Sequence, residues 1–141
     1  MNSLIEGIKG VTAITATEGA AGTSAINGAI VDTLGYDGVM VIITMGAITA
    51  GAVTSAKLQT GDDSALADAA DVTGATVTIA DDDDAKIFAI DLRRPLERYV
   101  RVVVSRATQN AVIENAIYLP YKADDQPVSS GFEGSAKVAN L

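Results

Sequence analysis

The chain has 141 residues, 48% of them hydrophobic but only 4% aromatic, and carries 10 Lys and Arg against 18 Asp and Glu, a net charge of −8. That length favours one domain with a core of useful size, that apolar content excludes disorder throughout, and that charge repels phosphate backbones, making nucleic acid a poor partner. With no cysteine and no histidine, disulfides, thiolate nucleophiles, the usual zinc ligands and a Ser–His–Asp arrangement are all excluded.

Residues 1–10 carry Glu6 and no basic stretch followed by an apolar block, so no secretory signal is expected and the segment reads as an arm. Val11 to Thr17 alternates as a first strand. Glu18 to Ser24 is small and glycine-rich, a loop. Ala25 to Thr33 reads as a strand with Ile26, Ile30 and Val31 apolar. Its Asn27-Gly28 pair marks either a hairpin turn or a bulge.

Leu34 to Gly38 is a turn, and Gly38 to Ala56 contains no charged residue. That run is long enough to raise a membrane helix. Gly46 and Gly51 break it, however, its Val, Ile and Thr suit a pleated surface, and no Lys or Arg cluster flanks it. The expectation is a buried strand at Val39–Met45, a connection near Gly46–Gly51, a second strand at Ala52–Thr60, and no membrane contact.

Gly61 to Asp71 is acidic and alanine-rich and predicts about one turn of helix capped by Asp62 or Ser64. Ala75 to Ala80 alternates again, and Asp81-Asp82-Asp83-Asp84 forms a charged turn. In Lys86 to Arg106, Phe88, Ile90 and Leu92 share one parity and Val100, Val102 and Val104 another. Each set lines one strand face. The interruption Arg93-Arg94-Pro95-Leu96-Glu97 makes a hairpin the simplest reading. Ala111 to Leu119 is a further strand of mixed parity, which implies a bulge or two covered faces. Pro120 is expected to end it, leaving 121–141 as a tail or arm in which Phe132 and Val138 are isolated apolar residues.

Short strands at roughly ten-residue spacing with turn signals between them predict an all-β, antiparallel sandwich of jelly-roll-like type. It forms one domain at 11–120 with extended termini at 1–10 and 121–141. Ala, Gly, Val and Thr dominate the composition. A core of such small side chains removes less apolar area per residue, and contacts between chains would compensate.

Few residues suggest chemistry. Asp81, Asp82, Asp83 and Asp84 could gather oxygens around a calcium ion, but the EF-hand pattern is missing and a solvated turn is the simpler reading. Asp91 and Glu114 are the only acids embedded in apolar strands. Glycoside hydrolysis needs two acids across a cleft, and nothing in the sequence singles out such a pair; either residue could as easily pair with Arg93, Arg101 or Arg106 at a sheet face or between subunits. No phosphate-binding glycine loop appears. No catalytic residue and no cofactor are assigned. Arg93, Arg94, Arg98, Arg101 and Arg106 lie within one short window of an acidic chain. They are either a contact patch for an acidic neighbour, another copy included, or solvated strand ends.

The segments GYDGVMVIITMGAITAGAV and TVTIADDDDAKIFAIDLRRPLERYVRVVVSRATQNAVIENAIYLPY, with RPxxRYVR and ATQNAV within them, resemble small virion proteins of tailed bacteriophages, in particular head decoration or cement proteins. The likeness spans roughly Ile26 to Tyr121. It implies a non-enzymatic sandwich on the capsid exterior that binds the major capsid protein lattice, commonly as a homotrimer. It carries over no catalytic residues. Two alternatives are weighed beside it: a carbohydrate-binding sandwich on the virion, disfavoured by the scarcity of aromatics for sugar stacking, and another head or tail component.

Overall fold

The structure, a computed structural model, describes residues 3–129 and 131–138. Alternation of small β-branched residues gives nine strands among the described residues. They are β1 (Val11–Ile14), β2 (Ile26–Asn27), β3 (Val31–Asp32), β4 (Tyr36–Ile48), β5 (Val53–Gly61), β6 (Ala70–Ile79), β7 (Ile87–Arg93), β8 (Tyr99–Ala107) and β9 (Ala111–Ala123). A front sheet has the order β1-β9-β4-β7, and a back sheet the order β2-β8-β5-β6 with β3 also on β8. All pairings are antiparallel. Taking β2 and β3 as one interrupted strand, the pairs β1–β9, β2/β3–β8, β4–β7 and β5–β6 nest inside one another. This is a long hairpin rolled into two layers, the connectivity of a jelly-roll-like sandwich.

The inward residues are those whose parity the sequence picks out. Val39, Val41, Ile43 and Met45 of β4 meet Val100, Val102 and Val104 of β8 in one core, with Leu58, Ile113 and Tyr118. Each such side chain contributes about 1.5–3 kcal/mol on burial. Ile90 is buried beside them, with Phe88 and Leu92 packed at the margin.

The expected hairpin between β7 and β8 does not form. β7 pairs with β4 in the front sheet, whereas β8 pairs with β5, β2 and β3 in the back sheet. Arg93 to Arg98 therefore crosses from one layer to the other. Parity places side chains on a face but says nothing about which strand lies alongside.

Other boundaries move for local reasons. No helix forms between β5 and β6. The Asp63 carboxylate accepts the N–H groups of Ala65 and Ala67 at 3.1 and 2.9 Å, and Asp68 accepts those of Asp62 and Asp63 at 2.9 and 3.2 Å. Two carboxylates take donors a helix would have needed, a competition in which Asp is strong. β6 then starts at Ala70 and carries an excursion: the step from Lys57 to Gln59 on β5 spans Thr76 back to Asp71 on β6.

β9 runs through Pro120 to Ala123. Pro120 pairs with Val39, and its carbonyl accepts the Lys9 N–H at 3.0 Å, on the side away from β4. A residue's N–H and C=O point to the same side of an antiparallel strand, so the missing donor faces the arm and the β4 ladder is unharmed. The mixed parity of β9 resolves as a bulge. Thr44 pairs with Asn115 and Met45 with Ile113, leaving Glu114 extra. Ile113 is inward before the bulge, and Ala116 and Tyr118 after it.

The termini pack on each other. The Ala123 N–H donates to the Gly7 carbonyl at 3.1 Å, the Val128 N–H to the Glu6 carbonyl at 3.0 Å, and Lys137 pairs with Glu6 at 2.9 Å. Phe132 lies against Gly10, where an added Cβ would come within 2.8 Å of the ring. Val138 is exposed. Among the described residues, no helix is long and apolar enough to cross a membrane; the uncharged run is the β4–β5 pair.

Candidate functional site

The five arginines do not form one patch. Arg98 and Arg106 bracket β8, which at about 3.4 Å per residue sets them roughly 27 Å apart. At one end, the Arg93 and Arg94 guanidiniums rest on Asp37 at 3.3 and 3.7 Å. Arg98 grips both Asp32 oxygens at 2.9 and 2.7 Å and lies 5.1 Å over the Tyr99 ring. That guanidinium holds the Asp32 carboxyl below the usual range. Arg101 donates to Gln59 at 2.9 Å on the outer side of the back sheet.

At the far end, Arg106 donates to the carbonyls of Ser24, Ala20 and Ala111, each at 2.7 Å. Its partial burial lowers its pKa. This arginine fastens the glycine-rich loop over the mouth of the sandwich. Gly19 is required in that loop because a Cβ there would collide with the Ile113 carbonyl.

The aspartate turn is engaged with its own chain. Asp81 accepts the Gly51 N–H at 2.6 Å, and Asp83 accepts the Ala80 N–H at 2.9 Å and pairs with Lys86 at 2.8 Å. Lys86, then the Ala80 N–H, lowers the Asp83 pKa. Among the described residues no group of three or more acidic side chains is arranged to hold a metal ion.

Asp91 is level with Met40 and Glu114 with the bulge opposite Thr44 and Met45, so the two acids are not paired, and among the described residues neither forms an ion pair with an arginine. The Tyr121 hydroxyl donates to Asp91 at 2.6 Å. Burial first, then that bond and the Asp91 charge, push the Tyr121 phenol up to about 12. Glu114 lies at the β9 bulge beside Gly46.

The two outer faces of the sandwich differ in kind. The back face carries a polar ladder: Arg101 to Gln59, Gln59 to Asp71 at 2.9 Å, and Lys57 to Asp71 at 2.9 Å. An antiparallel sheet with one solvated face normally looks like this. The front face does not. Across β9, β4 and β7, Leu119, Met40 and Asp91 form one row, Ile117, Ile42 and Ala89 the next, and Asn115, Thr44 and Ile87 a third. Ile87 is 68% exposed. The arm crosses the Met40 end of this surface and leaves a cavity of about 560 Å³, lined by Leu4, Ile8, Met40 and Leu119 with Asp91, Tyr121 and Lys122.

This surface was not singled out from the sequence, yet its signal was present. Val39 to Ile43 is apolar at both parities, so one of the two sets must face away from the core unless a second layer covers it. Of the four tyrosines and two phenylalanines, Tyr118 is buried, Phe88 packs against the core, Tyr99 lies under Arg98, Tyr121 is bonded to Asp91 and Phe132 sits on Gly10.

A scan against protein-family models finds no match to this chain, and a search of curated proteins likewise finds none.

Proposed function

We propose that this chain is a non-enzymatic structural protein of a tailed-bacteriophage particle, decorating and stabilising the capsid from outside by binding the lattice of the major capsid protein. The observation that carries this reading is the contrast between the two outer faces. Ile42, Ala89, Ile117 and Ile87 give the front sheet an apolar surface of the kind that marks contact with another protein, opposite a back sheet tied up in polar pairs. Asp32, Asp37, Asp81, Asp83 and Asp91, with Arg93, Arg98 and Arg106, are engaged with their own chain, which suits a scaffold better than an acid–base catalyst. The resemblance over Ile26 to Tyr121 supplies the identity of the neighbour, and jelly rolls recur in viral capsid domains. Fold alone does not assign function. The same resemblance supports a homotrimer as the assembled form.

The test is direct. Purified protein mixed with expanded capsids of the parent phage should pellet with them and saturate. Protein that stays in the supernatant at every ratio would refute the proposal.

A further inference from the structure

We propose that copies of this chain associate head to tail, with Leu96 of one copy seated in the cavity between the N-terminal arm and the front sheet of the next.

Leu96 is 99% exposed at the tip of the crossing loop, and the loop that presents it is held at both ends. On one side, the Arg94 N–H donates to the Asp37 carbonyl at 2.7 Å while the Arg93 guanidinium rests on the Asp37 carboxylate. On the other, Arg98 grips Asp32, and its carbonyl accepts both the N–H and the hydroxyl of Thr33, at 2.9 and 2.7 Å. Pro95 fixes one more torsion between them. An apolar side chain held out on a rigid loop loses little freedom on docking, which is what makes an effective anchor.

The same molecule carries a matching socket. The cavity of about 560 Å³ has apolar walls from Leu4, Ile8, Met40 and Leu119, and two charges, Asp91 and Lys122. The loop has two charges beside its leucine, Arg94 and Glu97. Arg94, exposed and held by Asp37 only at 3.7 Å, suits Asp91, and Glu97 suits Lys122, so a second copy answers the loop with an apolar pocket and both opposite charges. Glu97 has reason to change partner. In its own chain it lines the same cavity as Asp62, and the closeness and charge of that carboxylate raise its pKa. Because anchor and socket are different surfaces, the contact is heterologous and builds rings or open chains rather than a two-fold dimer.

This inference gives the proposed homo-oligomer its contact, and its test uses no capsid, so its failure and that of the decoration reading are told apart. Sedimentation velocity of the full chain should show association that rises with concentration. Leu96→Asp should melt like the parent, since the side chain touches little, and should associate at least about tenfold more weakly. Leu4→Asp, in the socket wall and 78% exposed, should do the same. Mixing the two variants leaves one intact anchor and one intact socket per pair, so they should form a one-to-one complex and nothing larger. Glu97→Lys and Lys122→Glu should each weaken association, and the double variant should restore it. A parent chain that stays monomeric up to about 1 mM, a Leu96→Asp variant that associates like the parent, or a variant mixture that stays monomeric would overturn the proposal.

Discussion

Tyr118 shows how a single side chain closes a defect in the fold. The stretch from Ile26 to Asp32 pairs with β8 on both sides of an interruption: Asn27 opposes Val103 and Val31 opposes Val100, so four steps on one strand match three on the other. At the gap, the Gly28 N–H donates to the Val102 carbonyl at 2.8 Å, and the Val102 N–H loses its ladder partner. Tyr118, reaching across from the front sheet, accepts that N–H at 2.8 Å and donates to the Ala29 carbonyl at 2.6 Å. Burial pushes its phenol upward in pKa. Tyr118→Phe leaves a buried donor unpaired, so it should cost about 1–3 kcal/mol in denaturant unfolding. A variant as stable as the parent would show that the hydroxyl is dispensable.

Tyr121 is the titrating counterpart. Its folded pKa of about 12 lies above the ordinary tyrosine value of about 10. The stability linked to it is therefore complete below pH of about 10 and is lost as pH rises through the folded value. Burial is the largest single cause, followed by the Asp91 hydrogen bond and charge and then by the Asp37 charge. Asp91→Asn should thus lower the phenol's titration in an absorbance measurement, taken as the difference from Tyr121→Phe, without returning it to the ordinary value. An unmoved titration would contradict the assigned role of Asp91.

At the scale of elements, the sequence made strand positions and faces legible and neighbours illegible. The parities of Phe88, Ile90 and Leu92 and of Val100, Val102 and Val104 hold in the folded protein, because alternation is a local property of the strand. Pairing depends on how the layers close, which no window of residues encodes, and so two adjacent strands went to opposite sheets. The Asp63 and Asp68 turn was hidden for a related reason: composition favoured a helix, and side-chain acceptors diverted its donors. Asn27-Gly28 was open between hairpin and bulge, and it is the bulge. Gly28 is needed there because a Cβ would stand 2.7 Å from Val102 Cγ1 and 3.0 Å from the Tyr118 hydroxyl. Gly28→Ala should accordingly destabilise by about 1–3 kcal/mol, seen as a lower unfolding midpoint with an unchanged slope against denaturant. No shift of the midpoint would mean the bulge yields freely. Of the surface, the arginine window was conspicuous in the sequence but separates to the two ends of β8 and, at Arg101, to the outer side of the back sheet. The apolar front face lay inside a run that reads as core.

For the whole molecule, the central claim is that the front sheet is an adhesive face and the back sheet a solvated one. Two exposed apolar residues make a matched comparison: Ile87 on β7 of the front sheet, 68% exposed, and Val53 on β5 of the back sheet, 62% exposed. Neither is buried enough for a new carboxylate to disturb folding, so Ile87→Asp and Val53→Asp differ chiefly in which face receives the charge. The most direct measurement is the affinity of these two variants for expanded capsids, read by co-sedimentation against the parent chain. Ile87→Asp should bind at least about tenfold more weakly and Val53→Asp like the parent; equal binding by both, or loss with Val53→Asp alone, would contradict the account.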